Sequence, residues 1–263
     1  MSGAMEVLSD GAVRLESLEG GAIWRAVLAT PKANILDMEK CAALSKIFRE
    51  ATGAPGVKGV ILAADGPHFS FGASVQEHLP DQIQAMLRGF HGLFHAILDA
   101  RVPTLCAVRG QCLGGAMELA IFSHRLFAAP DARLGQPEIV LGVLAPVASV
   151  MLADRVGRGR AEDLLLSGHS MSAADGLAIG LVDELADDPD AAALTYAREH
   201  LLPKSASSLR FAVQAARGGF GERFRKELAE VERVFVEELM KTDDALEGLS
   251  AFLEKREAVW KNR

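Results

Sequence analysis

Apolar residues follow two alternating patterns through the first two thirds of the chain: short unbroken runs and helix-period stripes. Four runs predict strands, over residues 57–66, 102–110, 124–130 and 180–187, the last being the least apolar. Apolar positions spaced as on one helix face predict helices over 37–50 and 82–100. Because strands that alternate with helices need crossover connections, we expect an α/β core with a largely parallel sheet.

Beyond residue 187 the pattern is helical only. Segments 221–241 and 243–260 predict charged amphipathic helices. The first has an apolar stripe with no obvious core left to cover, formed by Phe224, Leu228, Val231, Phe235 and Leu239. We therefore divide the chain into a core domain, residues 1–200, and a helical C-terminal region, residues 201–263, whose stripe either meets another subunit or packs within the chain.

The composition favours a well-buried core and argues against a membrane span. Hydrophobic residues make up 49% of the 263 residues, and the mean hydropathy is +0.16. The longest nearly unbroken apolar run, residues 139–153, is shorter than the roughly 20 residues that span a bilayer. The N-terminus has no basic start followed by an apolar stretch, so no secretory signal is visible.

The net charge and the cysteine content limit the kinds of partner and the cellular compartment that the sequence predicts. The net charge is −7, whereas a nucleic-acid-binding protein normally carries a basic surface. The chain has three cysteines, and the spacing of Cys106 and Cys112 fits neither a zinc nor a redox motif. We therefore expect a cytoplasmic protein with reduced thiols and with no nucleic-acid or membrane partner.

A glycine pair opens a helix-like apolar run in the segment GQCLGGAMELAIFSH, residues 110–124. The spacing fits neither nucleotide motif: Cys112 replaces a glycine of the dinucleotide fingerprint, and Ala116–Met117 replace the Lys-Ser/Thr of a P-loop. What remains is a strand, a turn and a helix beginning at Gly114–Gly115, where a ligand oxygen can approach free N–H groups. The segment 68–74 offers a second such approach, or an ordinary tight turn.

Two carboxylates stand out against their apolar surroundings. Glu118 lies inside the run that follows the glycine pair, and burying an ionised carboxylate without a partner is costly. It therefore reaches solvent, pairs with Arg109 or Arg125, or takes part in chemistry. Glu138 follows a proline and precedes another apolar run, so it is either a helix-capping residue or a second functional acid.

Three segments resemble the crotonase superfamily, the enoyl-CoA hydratases and isomerases. They are HFSFGAS (68–74), AVRGQCLGGAMELAIFSHRLFAAPDARLGQPEIVLG (107–142) and GRAEDLLLSGHSMSAADGLAIGLVDEL (159–185). The resemblance implies an α/β crotonase (ClpP/crotonase-like) fold, with a repeated β-β-α spiral core and a helical C-terminal extension. It also implies an acyl-CoA substrate, no metal, no cofactor beyond the substrate's own coenzyme A, and a homotrimer or homohexamer held by residues 201–263.

The resemblance also assigns roles to individual residues. The N–H groups of Ala73 and Gly115 would form an oxyanion hole for the thioester, and Glu118 and Glu138, 20 positions apart, would be the two hydratase acids. It implies coenzyme A contacts at Lys32, Ala33, Ile35, Phe71, Ala73, Ser74, Phe252 and Lys255, with the C-terminal lysine often supplied by a neighbouring subunit.

Three positions depart from the family pattern. Ser74 replaces the aspartate of the motif G-A-D, and Ala116 replaces a glycine, both small changes for a backbone donor. A glycine-rich stretch that borders the acyl pocket in the family reads LAPVAS here, which places Leu144, Pro146 and Val147 at that wall.

Within the family, the phrases FSFGASVQEHLP and LGVLAPVAS most resemble the cyclohexa-1,5-diene-1-carbonyl-CoA hydratases of anaerobic benzoyl-CoA degradation. This implies hydration to 6-hydroxycyclohex-1-ene-1-carbonyl-CoA. The alternatives are a generic enoyl-CoA hydratase or isomerase of the same fold, and a non-catalytic binding protein of that fold, which a basic surface stripe would favour.

Overall fold

The computed structural model describes residues 5–263, which form ten strands and nine α-helices joined by short helical turns. The strands are β1 (Glu6–Ser9), β2 (Val13–Leu18), β3 (Ile23–Leu28), β4 (Gly59–Ala64), β5 (Thr104–Val108), β6 (Gln111–Leu113), β7 (Arg125–Ala128), β8 (Arg133–Gly135), β9 (Ser170–Ser172) and β10 (Glu184–Leu185). The helices are α1 (Met38–Gly53), α2 (Ile83–Ala100), α3 (Gly115–Ile121), α4 (Pro146–Val156), α5 (Arg158–Ser167), α6 (Ala173–Ala178), α7 (Pro189–Tyr196), α8 (Ala206–Glu237) and α9 (Asp243–Glu254).

A seven-stranded sheet in the order β1-β2-β3-β4-β5-β7-β10 forms the frame of the molecule. Pairing is antiparallel from β1 to β3 and parallel from β3 to β10. The four predicted strands are present as β4, β5, β7 and β10, which confirms the α/β class. The strands β1, β2 and β3 were not predicted from the sequence.

The sheet is covered on both faces, and its central strands are apolar at most positions. In β4, Val60 and Leu62 face a large core with α1, α2 and α8, while Ile61 faces a smaller cluster with α7. In β5, Cys106 and Leu105 divide between the two clusters in the same way. Successive side chains of a strand point to opposite faces of the sheet, and here both faces are buried.

The helical tail packs within its own chain. Helix α8 runs unbroken for 32 residues and buries Phe224, Leu228 and Phe235 against α2 and α4. The Phe224 ring centroid lies 5.0 Å from that of Phe122, beside α3. The expectation that the stripe has no core left to cover is therefore wrong, because the stripe completes the core of residues 1–200. The division at residue 200 and the homotrimeric or homohexameric assembly stay predictions.

A small second sheet positions the functional region. Strand β6 pairs with β8 in parallel, and β8 pairs with β9 in antiparallel fashion. This sheet brings the end of β6, which leads into α3, next to the end of β8, which leads into the turn Pro137–Leu141. Across residues 5–263, no helix combines the length and apolar character that crossing a membrane requires.

Candidate active site

The segment that follows β4 is paired on both sides. Ser70 forms a parallel bridge with Cys112 of β6, and Ala73 forms one with Leu36. In the second bridge, the Leu36 N–H donates to the Gly72 carbonyl at 2.9 Å and the Ser74 N–H donates to the Leu36 carbonyl at 3.2 Å. Because these bonds use the groups on either side of Ala73, the N–H of Ala73 itself points away from Leu36.

The helix α3 begins opposite this segment and contributes a second free N–H group. Gly115 is its first residue, so its N–H has no partner within the helix. Among residues 5–263 neither the Ala73 nor the Gly115 N–H donates to a protein acceptor. A Cβ on Gly115 would lie 3.3 Å from Ala73 Cβ, so the two residues are direct neighbours. Two unpaired donors therefore lie side by side, as an oxyanion site requires.

Glu118 lies one helical turn into α3, and only 1% of its surface is exposed. Its Oε1 accepts a hydrogen bond of 2.7 Å from the Ala148 N–H at the start of α4. Burial raises the pKa of Glu118 to about 7, and the N–H groups of Ala148 and Val147 counteract part of that rise. Glu118 thus titrates near neutral pH although it is enclosed in an apolar helix.

Among residues 5–263, no arginine forms an ion pair with Glu118. Arg109 pairs with Asp188 and Asp190, and Arg125 pairs with Glu184. The alternative that Glu118 is half of an ion pair with either arginine is therefore wrong. Its partner is instead the N-terminal turn of α4, where unpaired backbone N–H groups and the helix dipole favour a carboxylate.

The stretch LAPVAS leads into the start of α4, the turn that holds the Glu118 carboxylate. Leu144 is half-buried, while Pro146 and Val147 are buried at the start of α4 behind Glu118. None of the three lines the open cavity described below. Their observed contribution is to hold α4 where its N–H groups reach the Glu118 carboxylate, and their place at the acyl-pocket wall stays a prediction.

Glu138 lies in the 3₁₀ turn Pro137–Leu141, directly after β8. The amide nitrogen of buried Gln136, oriented to satisfy both side chains, donates to the two Glu138 oxygens at 3.1 and 3.0 Å. Burial, and then the nearby Glu118 carboxylate, raise the pKa of Glu138 well above its ordinary value. Two neighbouring carboxyl groups whose pKa values are raised by burial, one of them further by the charge of the other, are typical of acid–base sites.

The turn between β6 and α3 requires a glycine at position 114. Its backbone angles are φ 53° and ψ −129°, a region that residues with a side chain avoid. A Cβ there would also lie 2.6 Å from Glu138 Oε1. Gly114 therefore allows both the turn that exposes the Gly115 N–H and the close approach of Glu138.

A cavity of about 550 Å³ opens onto these groups. Its lining is mostly apolar and consists of Ile35, Phe71, Gly72, Ala73, Ser74, Val75, Gln76, His78, Leu113, Gly114, Gly115, Pro137, Glu138, Val140, Leu141, Val143, Leu249, Phe252 and Leu253. Seven of the predicted site residues are among them. Glu118 lies behind this lining, under the glycine pair, rather than on the cavity surface.

The predicted coenzyme A residues divide into two groups. Ile35, Phe71, Ala73, Ser74 and Phe252 line the cavity, and the Ala33 carbonyl accepts a 3.0 Å hydrogen bond from the Phe71 N–H. Lys32 and Lys255 are exposed and lie outside the lining. Phe252 reaches the cavity from α9 of the same chain, so its place there does not depend on a neighbouring subunit.

Sequence reasoning missed several residues of the site. Phe90 of α2 closes the space behind Gly115, with its Cζ 3.0 Å from where a Cβ would lie. Gln136 holds Glu138, and Leu249 and Leu253 line the cavity from α9. His78 also lines the cavity. The sequence feature that could have pointed to it is its position four residues after Ser74, in the segment SVQEH.

Similarity to known proteins identifies the family to which this site belongs. Residues 19–263 match the family described as enoyl-CoA hydratase/isomerase. The chain belongs to this family. It is 56% identical over 243 residues to the cyclohexa-1,5-dienecarbonyl-CoA hydratase of Thauera aromatica, which covers 92% of this chain and 94% of that protein.

Other relatives in the family are more distant. A probable enoyl-CoA hydratase of Mycobacterium bovis is 32% identical over 234 residues, covering 83% of this chain and 89% of that protein. The crystal structure of carnitinyl-CoA hydratase from Mycobacterium avium has a TM-score of 0.85 and 30% identity, covering 97% of this chain and 100% of that one. The crotonase fold is thereby confirmed.

Replacing Gly114 by Ala should destabilise the fold. The substitution forces a Cβ into a disfavoured backbone region and against the Glu138 carboxylate, so we expect a loss of about 1–3 kcal/mol in the free energy of unfolding. Chemical denaturation measures it. The matched control is Gly89→Ala in α2, where nothing lies within 4 Å of the new Cβ and the better helix propensity should stabilise by up to about 1 kcal/mol. Equal stability of the two variants would contradict the requirement for glycine.

Replacing Glu118 by Gln should change how the free energy of unfolding depends on pH. An unfolded glutamate ionises near its ordinary pKa of 4.5, whereas buried Glu118 keeps its proton to about pH 7, so wild-type stability is lost as the pH rises between these values. The amide has no proton to lose and still accepts from Ala148. We expect the variant to gain more than about 1 kcal/mol on the wild type over that range. Parallel stability curves would contradict this prediction, because they would show that folding does not raise the pKa of Glu118.

Proposed function

We propose that the protein adds water to a cyclic dienoyl-CoA thioester, converting cyclohexa-1,5-diene-1-carbonyl-CoA to 6-hydroxycyclohex-1-ene-1-carbonyl-CoA. The observation that carries the proposal is the meeting of the free N–H groups of Ala73 and Gly115 with the Glu138 carboxyl group at the cavity, and the burial of the Glu118 carboxyl group directly behind them. The similarity to the hydratase of Thauera aromatica supports the ring substrate.

The proposed chemistry begins at the thioester oxygen. Placed between the Ala73 and Gly115 N–H groups, this oxygen is stabilised as it gains negative charge, which makes the carbon beta to the carbonyl electrophilic. Water attacks that carbon, and the resulting dienolate takes a proton at its far end, a net 1,4-addition. The reaction needs no cofactor beyond the coenzyme A that the substrate carries.

The surroundings of the two acids suggest how they divide the proton transfers. Glu118 accepts from the first turn of α4, which favours its ionised form, whereas the neighbouring Glu118 charge helps to keep Glu138 protonated. We therefore propose that Glu118 takes the proton from water and that Glu138 supplies one to the dienolate. A base and an acid whose surroundings push their pKa values apart are suited to this task.

The coenzyme A moiety would enter past the segments 33–36 and 71–74. Phe71 is exposed beside the cavity mouth and Phe252 faces it from α9. Because the protein is acidic overall, attraction for the phosphates must be local, and we propose that exposed Lys32 and Lys255 supply it.

A generic enoyl-CoA hydratase is the second candidate, favoured by relatives about 32% identical that bear that name. The two candidates share the acids and the N–H pair, and they differ in the acyl group that the cavity prefers. The apolar side chains of Val140, Leu141 and Val143 suit a ring that has little polarity to satisfy.

Replacing either acid by its isosteric amide should abolish most hydration. We expect Glu118→Gln and Glu138→Gln each to fold, to bind acyl-CoA and to lose roughly 10²–10⁴ in kcat, the usual contribution of a general acid or base. Glu162→Gln, at an exposed position of α5, is the control and should retain wild-type turnover. Near-normal turnover by either active-site variant would show that its glutamate is structural.

The purified protein should prefer the cyclic dienoyl-CoA to crotonyl-CoA. An apolar pocket discriminates by about 1–3 kcal/mol for each misfit of methylene size, so crotonyl-CoA should be a weak substrate at best. The measurement is kcat/KM for both thioesters with the same enzyme preparation. A higher value for crotonyl-CoA would favour the generic hydratase instead.

A further inference from the structure

His78 is a polar group in the cavity that the proposed chemistry leaves unused. Among the residues that line the cavity, it and Glu138 are the two with titratable side chains. The remaining lining is mostly apolar, so a group that can form hydrogen bonds there has a large effect on which ligands fit.

The ring of His78 is held in a defined orientation. Its Nδ1 lies 2.7 Å from the Ser74 carbonyl oxygen. Because a carbonyl oxygen only accepts, Nδ1 must carry the proton. The ring is also tilted against Phe235 of α8, with centroids 6.4 Å apart.

The turn that carries His78 is anchored independently. The carboxylate of Glu77 accepts from the Met38 N–H at 3.1 Å, at the start of α1. The Ser74 N–H donates to Leu36, in the same bridge that orients Ala73. His78 is therefore positioned by the structure that forms the oxyanion site, before any ligand binds.

The second ring nitrogen has no protein partner. Within residues 5–263, Nε2 of His78 takes part in no hydrogen bond, and since Nδ1 carries the proton, Nε2 is an acceptor. Burial lowers the pKa of His78, which keeps the imidazole neutral at neutral pH. This uncharged acceptor is not among the fully buried atoms without a partner, so a ligand that displaces the water around it loses affinity unless the ligand supplies a donor.

We propose that His78 Nε2 accepts a hydrogen bond from the bound acyl thioester and so selects for a ligand with a donor at that point. The donor is either the hydroxyl group that hydration places on the acyl moiety or an amide N–H of the pantetheine arm. The proposal rests on the acyl-CoA ligand of the proposed function, and it concerns binding, not a proton transfer.

Two substitutions distinguish the role of Nε2 as an acceptor from the role of Nδ1, which holds the ring to the Ser74 carbonyl. In His78→Asn, the amide can still donate to the Ser74 carbonyl but ends short of the Nε2 position. In His78→Gln, the longer side chain places an amide oxygen near that position. His200→Leu is the control, because His200 is exposed, outside the cavity lining, in the helical segment that follows α7.

The measurement is calorimetric binding of coenzyme A, cyclohexanecarbonyl-CoA and 2-hydroxycyclohexanecarbonyl-CoA. We expect His78→Asn to raise Kd about two- to tenfold, as loss of one neutral hydrogen bond would, and His78→Gln to restore most of the affinity. An effect on the hydroxylated ligand alone assigns the donor to the hydroxyl, and an equal effect on all three ligands assigns it to pantetheine.

Wild-type affinity of His78→Asn for all three ligands would overturn the proposal, and so would equal losses in the Asn and Gln variants. Binding is scored separately from turnover. A wild-type protein that binds in a His78-dependent way without hydrating the dienoyl-CoA would therefore refute the proposed function and leave this inference standing.

Discussion

The burial of the Glu118 carboxylate is the constraint on which the rest of the site depends. An ionised carboxylate loses its hydration when it is enclosed in an apolar helix, and no cationic side chain of the described residues compensates for that loss. The N-terminal turn of α4 supplies backbone N–H groups instead, which lowers the cost without fixing the charge. A group held in this way changes its protonation near neutral pH, which an arginine partner would have prevented.

The fold meets this constraint by ending several elements at one place. Strand β6 leads into the glycine turn and α3, strand β8 leads into the turn with Glu138, and the segment 70–74 is paired between β6 and Leu36. The small sheet of β6, β8 and β9 therefore fixes the relative position of both acids and both free N–H groups. Helix α8 then completes the core, and α9 closes the cavity with side chains from the same chain.

Sequence patterns predicted β4, β5 and β7 of the parallel part of the sheet, since these strands are largely apolar runs buried on both faces. They did not predict β2 and β3, because Glu16 is buried there among Arg14 and Arg25 and breaks the apolar alternation. The expectation that no core was left for the tail stripe was wrong for a related reason: a pattern in one segment does not show which distant residues complete the core that it covers. Motif positions did bring Ala73, Gly115, Glu118 and Glu138 together, whereas the contact between α4 and Glu118 joins residues 30 positions apart and leaves no local signal.

The central claim is that the thioester oxygen binds between the Ala73 and Gly115 N–H groups while the carboxyl pair lies at the reacting carbon. Isotope-edited infrared spectroscopy of a bound acyl-CoA, with ¹³C at the thioester carbonyl, observes that oxygen directly. Two hydrogen bonds from preorganised N–H groups polarise the carbonyl, so its stretching frequency should fall clearly below the value of the same thioester free in water. A bound frequency equal to or above the value in water would contradict the account, because it would place the oxygen outside the proposed site.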